Sequence, residues 1–248
     1  PLSILIEKEL KKREKKPVII KKYYHDQSDE HELIKNLNNN LIVSKNRKYG
    51  VEEAISKKFD IVILDDGFQD SSLKKDVNII CFNNKQKIGN GLVIPAGPLR
   101  ESLRSLERVQ IVVINGRKDE KFEAKILSIS NNLQIFYSKY VPSNINEFKE
   151  KKLAAFAGIG NPSNFFDLLK ENNLNVEKTF SFPDHYNFKK KEIQKMIDFS
   201  KNNNLELITT EKDYHRIKKF EIENIKYLKI DLIINNKDNF INQVLKFL

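Results

Sequence analysis

The sequence is poor in the patterns that mark disulfide-bonded, membrane-spanning and zinc-binding proteins. Cys81 is the only cysteine, so it cannot form an internal disulfide, and no signal peptide is recognised; both points favour a cytoplasmic, reducing compartment. The longest apolar runs are strand-sized and fall well short of the roughly 20 residues that span a bilayer, so no transmembrane segment is expected. The four histidines show no metal-ligand spacing, which argues against a zinc site.

Positive charge, in contrast, is in excess. Lysine and arginine total 44 against 34 acidic residues, which gives a formal net charge of +10. This excess favours an anionic partner, and by charge alone a nucleic acid, an anionic membrane face and a phosphorylated substrate fit equally well. Because the basic residues are scattered along the chain, a compositional bias without functional meaning explains them as well as a binding surface does.

Short β-branched runs alternate with helical patterns along the whole chain, which is typical of βαβ units and a mainly parallel sheet. The predicted class is therefore α/β. The first helix is expected to begin at Pro1, since a proline suits the first turn of a helix. Strands in the first half are predicted at residues 17–20, 41–43, 60–64, 78–82 and 110–114.

The same patterns divide the chain into four parts. Residues 1–132 are predicted to form a sheet-centred core, and residues 133–150 a ribbon linker, because the run at 134–140 alternates as an exposed ribbon does. Residues 151–225 are predicted to form a smaller α/β domain. Residues 226–248 are predicted to return as a strand and a terminal helix.

The strongest local signal is an apolar strand at residues 61–64 that ends in Asp65, Asp66 and a glycine turn. Ligands bind at the carboxyl ends of strands in such sheets, and an acid at this point of a nucleotide-hydrolysing fold holds the Mg²⁺ that bridges the terminal phosphates. Asp65 and Asp66 are therefore candidate metal ligands. The same residues, considered alone, also fit a turn that simply ends the strand.

A second candidate region is the loop with Gly-Asn-Gly at residues 89–91 and Pro-Ala-Gly-Pro-Leu-Arg-Glu at residues 95–101. Its glycines and prolines define an irregular backbone that brings backbone donors and Arg100 to one place, as phosphate or sugar recognition requires. A rigid connector would have the same composition. Elsewhere, Asp29 suits a helix cap, and His185, which follows a strand, suits either proton transfer or a solvated loop.

Five short motifs, taken in order, resemble the motif series of tetraacyldisaccharide 4'-kinases. They are Asp-Asp-Gly-Phe-Gln at 65–69, the two loop stretches just described, which count together as one motif, Phe-Ala-Gly-Ile-Gly-Asn-Pro at 156–162, Phe-Pro-Asp-His at 182–185 and Thr-Thr-Glu-Lys-Asp at 209–213. Each motif is weak alone. Their order and spacing also match, and together they extend over nearly the whole chain.

The resemblance implies a P-loop kinase core joined by a β-ribbon to a smaller C-terminal domain. It also implies the reaction, in which ATP, with Mg²⁺, gives its γ-phosphate to the 4'-hydroxyl of a tetraacylated glucosamine disaccharide 1-phosphate during lipid A synthesis. The implied location is the cytoplasmic face of the bacterial inner membrane, with peripheral attachment. No protein partner is inferred.

The resemblance further implies roles for individual residues. Asp29 matches the acid taken as the general base, and His185 matches the histidine that pairs with it. Substrate contacts are implied at Arg47, Gln69, Asn90, Arg100 and Glu101.

The sequence departs from the family pattern in three places. Asp70 stands where the family has a histidine, and Lys-Lys-Tyr-Tyr at residues 21–24 replaces an Arg-Gly-Tyr-Gly stretch, so contacts at these positions do not carry over. No Gly-x-x-x-x-Gly-Lys-Thr motif occurs in residues 1–248. Because a proline follows that motif in the family, the motif is expected immediately before Pro1. The chain is accordingly interpreted as a fragment that is inactive as given and has an unpaired central position in its sheet.

Two other functions stay open at this point. Another P-loop kinase or ATPase for a small anionic molecule would share the strand-end acids but not the Pro-Ala-Gly-Pro-Leu-Arg-Glu loop. A non-catalytic nucleic-acid-binding protein would account for the basic charge, but no binding motif is recognised and the basic residues do not cluster with aromatics, so nucleic acid is not predicted as a partner.

Overall fold

A computed structural model describes residues 1–23 and 40–248, so Asp29 lies outside the described residues. The helices are α1 (Leu2–Lys11), α2 (Arg47–Ser56), α3 (Glu120–Leu127), α4 (Pro162–Glu171), α5 (Lys190–Asn202), α6 (Glu211–Ile217) and α7 (Lys237–Lys246). The strands are β1 (Pro17–Lys22), β2 (Leu41–Ser44), β3 (Ile61–Leu64), β4 (Ile79–Asn83), β5 (Ile111–Asn115), β6 (Gln134–Pro142), β7 (Lys152–Ala157), β8 (Asn175–Ser181), β9 (Glu206–Thr210), β10 (Ile225–Leu228) and β11 (Ile230–Ile234). None of these helices is both long and apolar enough to cross a bilayer.

The chain divides into two compact units, and the first unit contains Pro1–Lys22, Ile42–Val141 and Leu232–Leu248. Its strands form two sheets, with the order β2-β1-β3 in one and β11-β6-β5-β4 in the other. β1 pairs with β3 in parallel, and β5 pairs in parallel with both β4 and β6. These parallel pairings, with helices between the strands, confirm the predicted α/β class.

The first helix is held against the sheet by one apolar face. Ile6 and Leu10 of α1 are buried in a cluster that also includes Phe240 of α7, as apolar residues three and four positions apart predict. The two helices are also joined by an ion pair of 3.0 Å between Lys237 Nζ and Glu9 Oε1. Although burial opposes ionisation, hydrogen bonds and positive charge from Lys12 and Lys237 lower the pKa of Glu9 to about 2.

The run at residues 134–140 differs from the exposed ribbon that its alternating pattern predicts. It forms β6, which lies between β5 and β11 in the sheet. Phe136 packs edge-on against Phe240 with ring centroids 5.2 Å apart, while Ile135 and Tyr137 pack against the cluster around Phe122. At residues 135–137 the alternation therefore arises from two covered faces with different neighbours, whereas Lys139 and Tyr140 further along the strand are exposed.

The second unit contains Pro142–Asp231, with a four-stranded sheet in the order β10-β9-β7-β8. All of its pairings are parallel. β7 is central and buried, and α4 packs on one side through Phe165 and Leu169, while α5 packs on the other through Ile193 and Ile197. Because parallel strands end at the same edge of a sheet, the motifs that follow β7, β8 and β9 are brought together at that edge.

Candidate active site

In the first unit, a cleft of about 1040 Å³ lies between the two sheets. β3 and β4 stand at the ends of their sheets and both line the cleft, together with the first turn of α1. Their side chains are mostly half-buried. Within the described residues, neither strand edge has a second partner.

Asp65 and Asp66 follow β3 at its carboxyl end, and both line this cleft. Asp65 Oδ1 accepts a hydrogen bond of 2.6 Å from Ser3 Oγ, and Asp65 Oδ2 lies 3.3 Å from Lys21 Nζ. Asp66 is more exposed, and its Oδ1 pairs with Arg100 Nη1 at 2.6 Å. Two adjacent carboxylates are thus held at the strand end by a hydroxyl group and two cations.

A buried arginine fixes the backbone of this strand end. Arg47 is only 7% exposed, and its Nη2 donates to the carbonyl oxygens of Asp65 at 3.1 Å and Asp66 at 2.7 Å. Its Nη1 lies 3.3 Å from Asp70 Oδ2. Hydrogen bonds from Ser72 and the nearby charge of Arg47 lower the pKa of Asp70 below its usual value. Arg47, predicted as a substrate contact, is thus used to hold the loop; its substrate role stays a prediction.

The other side of the same loop is held by Lys75. Its Nζ donates to the carbonyl oxygens of Phe68 at 3.2 Å and Asp70 at 2.5 Å. Burial lowers the pKa of Lys75. Glycine is required at position 67, because a Cβ atom there would lie 2.5 Å from Leu64 Cβ.

The loop at residues 89–101 is closed by its own contacts. Asn90 Nδ2 donates to the Ala96 carbonyl at 2.8 Å, and Asn90 Oδ1 accepts from the Leu92 amide at 3.1 Å. A Cβ atom on Gly97 would lie 2.2 Å from Asn90 Oδ1, so only glycine fits there. Asn90, predicted to contact substrate, is therefore placed to hold the loop that carries Arg100.

Three further predicted residues meet at the cleft. Arg100, Glu101 and Gln69 all line it. Glu101 forms an ion pair with Arg108, and the Arg108 guanidinium lies 4.3 Å from the centre of the Phe68 ring. The fold thus brings the loop at 95–101 to the strand-end acids, while the functional roles of these residues stay predictions.

A second polar cluster lies in the second unit, where three of the five motifs meet. Asp213 is fully buried, and its Oδ2 accepts from the Gly158 amide and from Thr210 Oγ1, each at 2.8 Å. Its Oδ1 accepts from Arg216 Nη1 at 2.8 Å. A second group on Arg216, Nη2, lies 3.2 Å from His185 Nδ1.

Sequence reasoning did not single out Ser3, Lys21, Lys75 or Arg216. Arg216 carries a local signal, because it stands three residues after Asp213 on α6 and shares one helix face with it. Lys75 is also close in sequence to the carbonyl groups that it binds, five residues from Asp70 and seven from Phe68. Ser3 and Lys21 reach Asp65 from distant parts of the chain.

The strand-end acids fit a magnesium ion. Mg²⁺ is usually held by one or two carboxylates together with phosphate oxygens, and not by a closed cage of protein ligands. Asp65 and Asp66 supply such a pair. Each carboxylate has two oxygen atoms with more than one acceptor position apiece, so positions remain beyond those used by Ser3, Lys21 and Arg100. In the described part of the chain, no three acidic, histidine or cysteine residues form a metal cage.

Comparison with known proteins agrees with this architecture. The tetraacyldisaccharide 4'-kinase of Pelagibacter ubique (strain HTCC1062) is 40% identical over 248 residues, which cover 99% of this chain and 79% of that protein. The tetraacyldisaccharide 4'-kinase of Haemophilus influenzae (strain 86-028NP) is 31% identical over 250 residues, which cover 93% of this chain and 73% of that protein.

A solved structure has the same fold. The crystal structure of apo-form LpxK from Aquifex aeolicus in complex with ATP matches with a TM-score of 0.70 and 22% identity, over 99% of this chain and 83% of that one. The family model described as tetraacyldisaccharide-1-P 4'-kinase matches residues 1–248. The chain therefore belongs to the tetraacyldisaccharide-1-P 4'-kinase family.

Proposed function

We propose that the cleft of the first unit is where this kinase transfers the γ-phosphate of ATP to the 4'-hydroxyl of tetraacyldisaccharide 1-phosphate. The observation that carries the proposal is the pair Asp65 and Asp66, which lines the cleft and whose backbone is fixed by buried Arg47. Catalysis of phosphoryl transfer depends mainly on positioning and charge stabilisation. A rigidly held carboxylate pair at a strand end suits that requirement.

The same pair is proposed to hold Mg²⁺. When bound, Mg²⁺ neutralises charge that develops on the phosphate oxygens. Asp65 and Asp66 provide the carboxylate ligands, while Lys21, at 3.3 Å from Asp65, offsets the repulsion between the two acids. Arg100, whose Nη1 lies 2.6 Å from Asp66 Oδ1, offsets the same repulsion from the side of Asp66.

The acceptor is proposed to bind next to these acids, through the loop at residues 95–101. The side chain of Arg100 is 59% exposed, so its guanidinium is accessible to an anionic head group. Glu101 and Gln69 line the same cleft and provide acceptors and donors for sugar hydroxyls. Asn90 and Arg47 support this surface by holding its loops.

The proton of the attacking hydroxyl is proposed to pass to Asp29, and His185 is proposed to orient that carboxylate. A positioned carboxylate acts as a general base when it lies within hydrogen-bond reach of the hydroxyl. The support is the match of both residues to the family motif, together with the position of His185 among three of the five motifs.

Family membership implies a lipid A pathway enzyme with a lipid disaccharide substrate, and we propose peripheral attachment at the cytoplasmic face of the inner membrane. Leu92 and Ile94 support this proposal, since they are 53% and 62% exposed in the loop that carries Arg100. Apolar side chains beside cations are typical of surfaces that touch an anionic bilayer. The net charge of +10 also favours attachment to an anionic membrane surface.

The test is a transfer assay with radiolabelled ATP and the tetraacyldisaccharide 1-phosphate in mixed micelles. Since residues 1–248 contain no Gly-x-x-x-x-Gly-Lys-Thr sequence, the assay uses an extended chain in which a strand and loop with that sequence are joined before Pro1. Label should appear in the lipid in a Mg²⁺-dependent manner. ATP hydrolysis stimulated by a small anionic molecule, without label in the lipid, would instead favour another kinase or ATPase.

A further inference from the structure

Arg216 lies beside His185, and neither the motifs nor the proposed reaction assigns it a role. Its guanidinium makes contacts on two sides. Nη1 donates to Asp213 Oδ1 at 2.8 Å and to the Gly158 carbonyl at 2.6 Å, while Nη2 lies 3.2 Å from His185 Nδ1. The residue therefore connects a buried carboxylate to the imidazole.

The guanidinium is itself held in place. Asp213 is fully buried, and it is fixed by hydrogen bonds from the Gly158 amide and Thr210 Oγ1. A planar guanidinium that binds a buried carboxylate with one nitrogen has its second nitrogen aimed in a set direction. In this unit, that direction is toward His185.

The chemistry of the contact determines which ring nitrogen carries the proton. Arginine has five N–H donors and no acceptor, so His185 Nδ1 must accept the hydrogen bond. In the neutral imidazole the proton then lies on Nε2. Asp184 Oδ1 is 3.8 Å from Nε2, too far for a hydrogen bond, so it does not take that N–H.

The backbone of His185 sets the direction of its side chain. Its φ angle is +55°, in the left-handed region that a residue with a side chain seldom adopts. Among the described residues, nine others with side chains share a positive φ, so here the angle sets only the direction in which the His185 side chain leaves the backbone. The His185 side chain is 33% exposed, so an outside acceptor can reach the ring.

We infer that Arg216 is a positioning residue that keeps His185 as the Nε2–H tautomer, ready to donate to a carboxylate. The carboxylate in question is that of Asp29, so the use of this N–H rests on the proposed function. A carboxylate base only accepts hydrogen bonds, so a histidine that orients it must present an N–H group. Arg216 meets that need by occupying Nδ1.

The inference is tested by ¹⁵N nuclear magnetic resonance of the imidazole side chains in the 248-residue chain at about pH 8.5, where an ordinary imidazole is neutral. Four histidines are present, and the His185 signals are identified by their loss in His185→Gln. In the wild type, the two His185 nitrogens should have well-separated shifts, with the proton on Nε2. In Arg216→Met the two shifts should move toward each other, because the tautomers then exchange.

Two further variants make the result decisive. Lys218→Met, which removes an exposed positive charge two residues further along the chain, should leave the His185 shifts unchanged. Arg216→Lys keeps a positive charge for Asp213 but lacks the second arm of the guanidinium, so it should fold and still lose the single tautomer. If Arg216→Met does not fold, the His185 shifts of Arg216→Lys test the inference instead. Unchanged His185 shifts in the folded Arg216 variants would overturn the inference.

Turnover of the extended chain separates this inference from the proposed function. If His185 acts on Asp29, the kcat of Arg216→Lys should fall by about tenfold while KM for the lipid changes little, because the loss affects a positioned proton transfer. Altered His185 shifts with unchanged kcat would support the orientation by Arg216 and would remove His185 from the reaction. The nuclear magnetic resonance spectrum therefore tests whether Arg216 positions His185, and the kinetics test the proposed role of His185 in the reaction.

Discussion

The Nη2 group of Arg47 lies 2.7 Å from the carbonyl oxygen of Asp66, so a buried cation directly holds the backbone of a proposed metal ligand. Nη1 of the same guanidinium lies 3.3 Å from Asp70. Arg47 thereby ties the start of α2 to the end of β3, two elements that are separated along the chain.

Replacing Arg47 should loosen the loop at residues 65–70. For Arg47→Met we expect a loss of about 2–3 kcal/mol in the free energy that opposes opening of this loop, because hydrogen bonds to a charged group are lost and Asp70 loses its buried cation. Hydrogen exchange with peptide-level mass spectrometry measures this change. Lys48→Met, at an exposed neighbouring position, is the matched control. Unchanged protection with a raised KM for the lipid would show that Arg47 acts on the substrate instead.

The carboxyl group of Asp70 should make stability depend on pH. Because its pKa is lowered in the folded protein, Asp70 contributes stability that is present above its ordinary pKa of 3.8 and is lost as the pH falls through the folded value. Asp70→Asn should therefore be less stable than the wild type at pH 6, and the difference should shrink below about pH 4. Urea unfolding at a series of pH values measures it, with the exposed Asp76→Asn as control. A difference that grows toward low pH would contradict the assignment.

Asp65 and Asp66 should control the magnesium requirement. Asn at either position keeps the side-chain shape and removes the charge, so the Mg²⁺ concentration for half-maximal turnover of the extended chain should rise, by roughly tenfold or more. A Mg²⁺ titration of the initial rate measures this. Asp60→Asn, at the amino end of β3, should titrate like the wild type. If the Asn variants of Asp65 and Asp66 also titrate like the wild type, the two acids do not hold Mg²⁺ and serve only to end the strand.

Asp29 should be needed for turnover and not for binding. In the extended chain, Asp29→Ala is expected to lower kcat by about 10² or more, the usual contribution of a positioned base, with little change in KM. Steady-state kinetics with the lipid acceptor measure both constants. A kcat within about threefold of the wild type would rule out the role of Asp29 as the base.

The exposed apolar residues of the loop at 89–101 should contribute to membrane binding. Leu92→Ser and Ile94→Ser should each weaken binding to anionic vesicles by about tenfold, since each substitution removes an apolar side chain worth roughly 1.5 kcal/mol or more when buried. Sedimentation of the 248-residue chain with phosphatidylglycerol vesicles measures it. Ile55→Ser, which changes a 67% exposed residue on α2, is the control. Equal loss in the control would assign the binding to general hydrophobicity.

Most strands and helices could be predicted because their apolar periodicity is local. The predicted strand at 60–64 is observed at Ile61–Leu64, and the predicted helix at the chain start is observed at Leu2–Lys11. The contact between Asp66 and Arg100 joins two residues that the sequence motifs had each marked as candidate site residues. β6 lies within the sheet, and its alternating pattern does not reveal that residues 135–137 are covered on both faces, because such a pattern records only which residues are apolar.

The sequence by itself determined the α/β class, the strand-end acids and the family, because these depend on residue order and on short-range pattern. Only the tertiary structure decided that Arg47 holds carbonyl oxygens at the end of β3 and that Arg216 accompanies His185. Those contacts join residues 18 and 31 positions apart. No local propensity encodes such a pairing, because it results from how the parallel sheet brings the ends of separate strands to one edge.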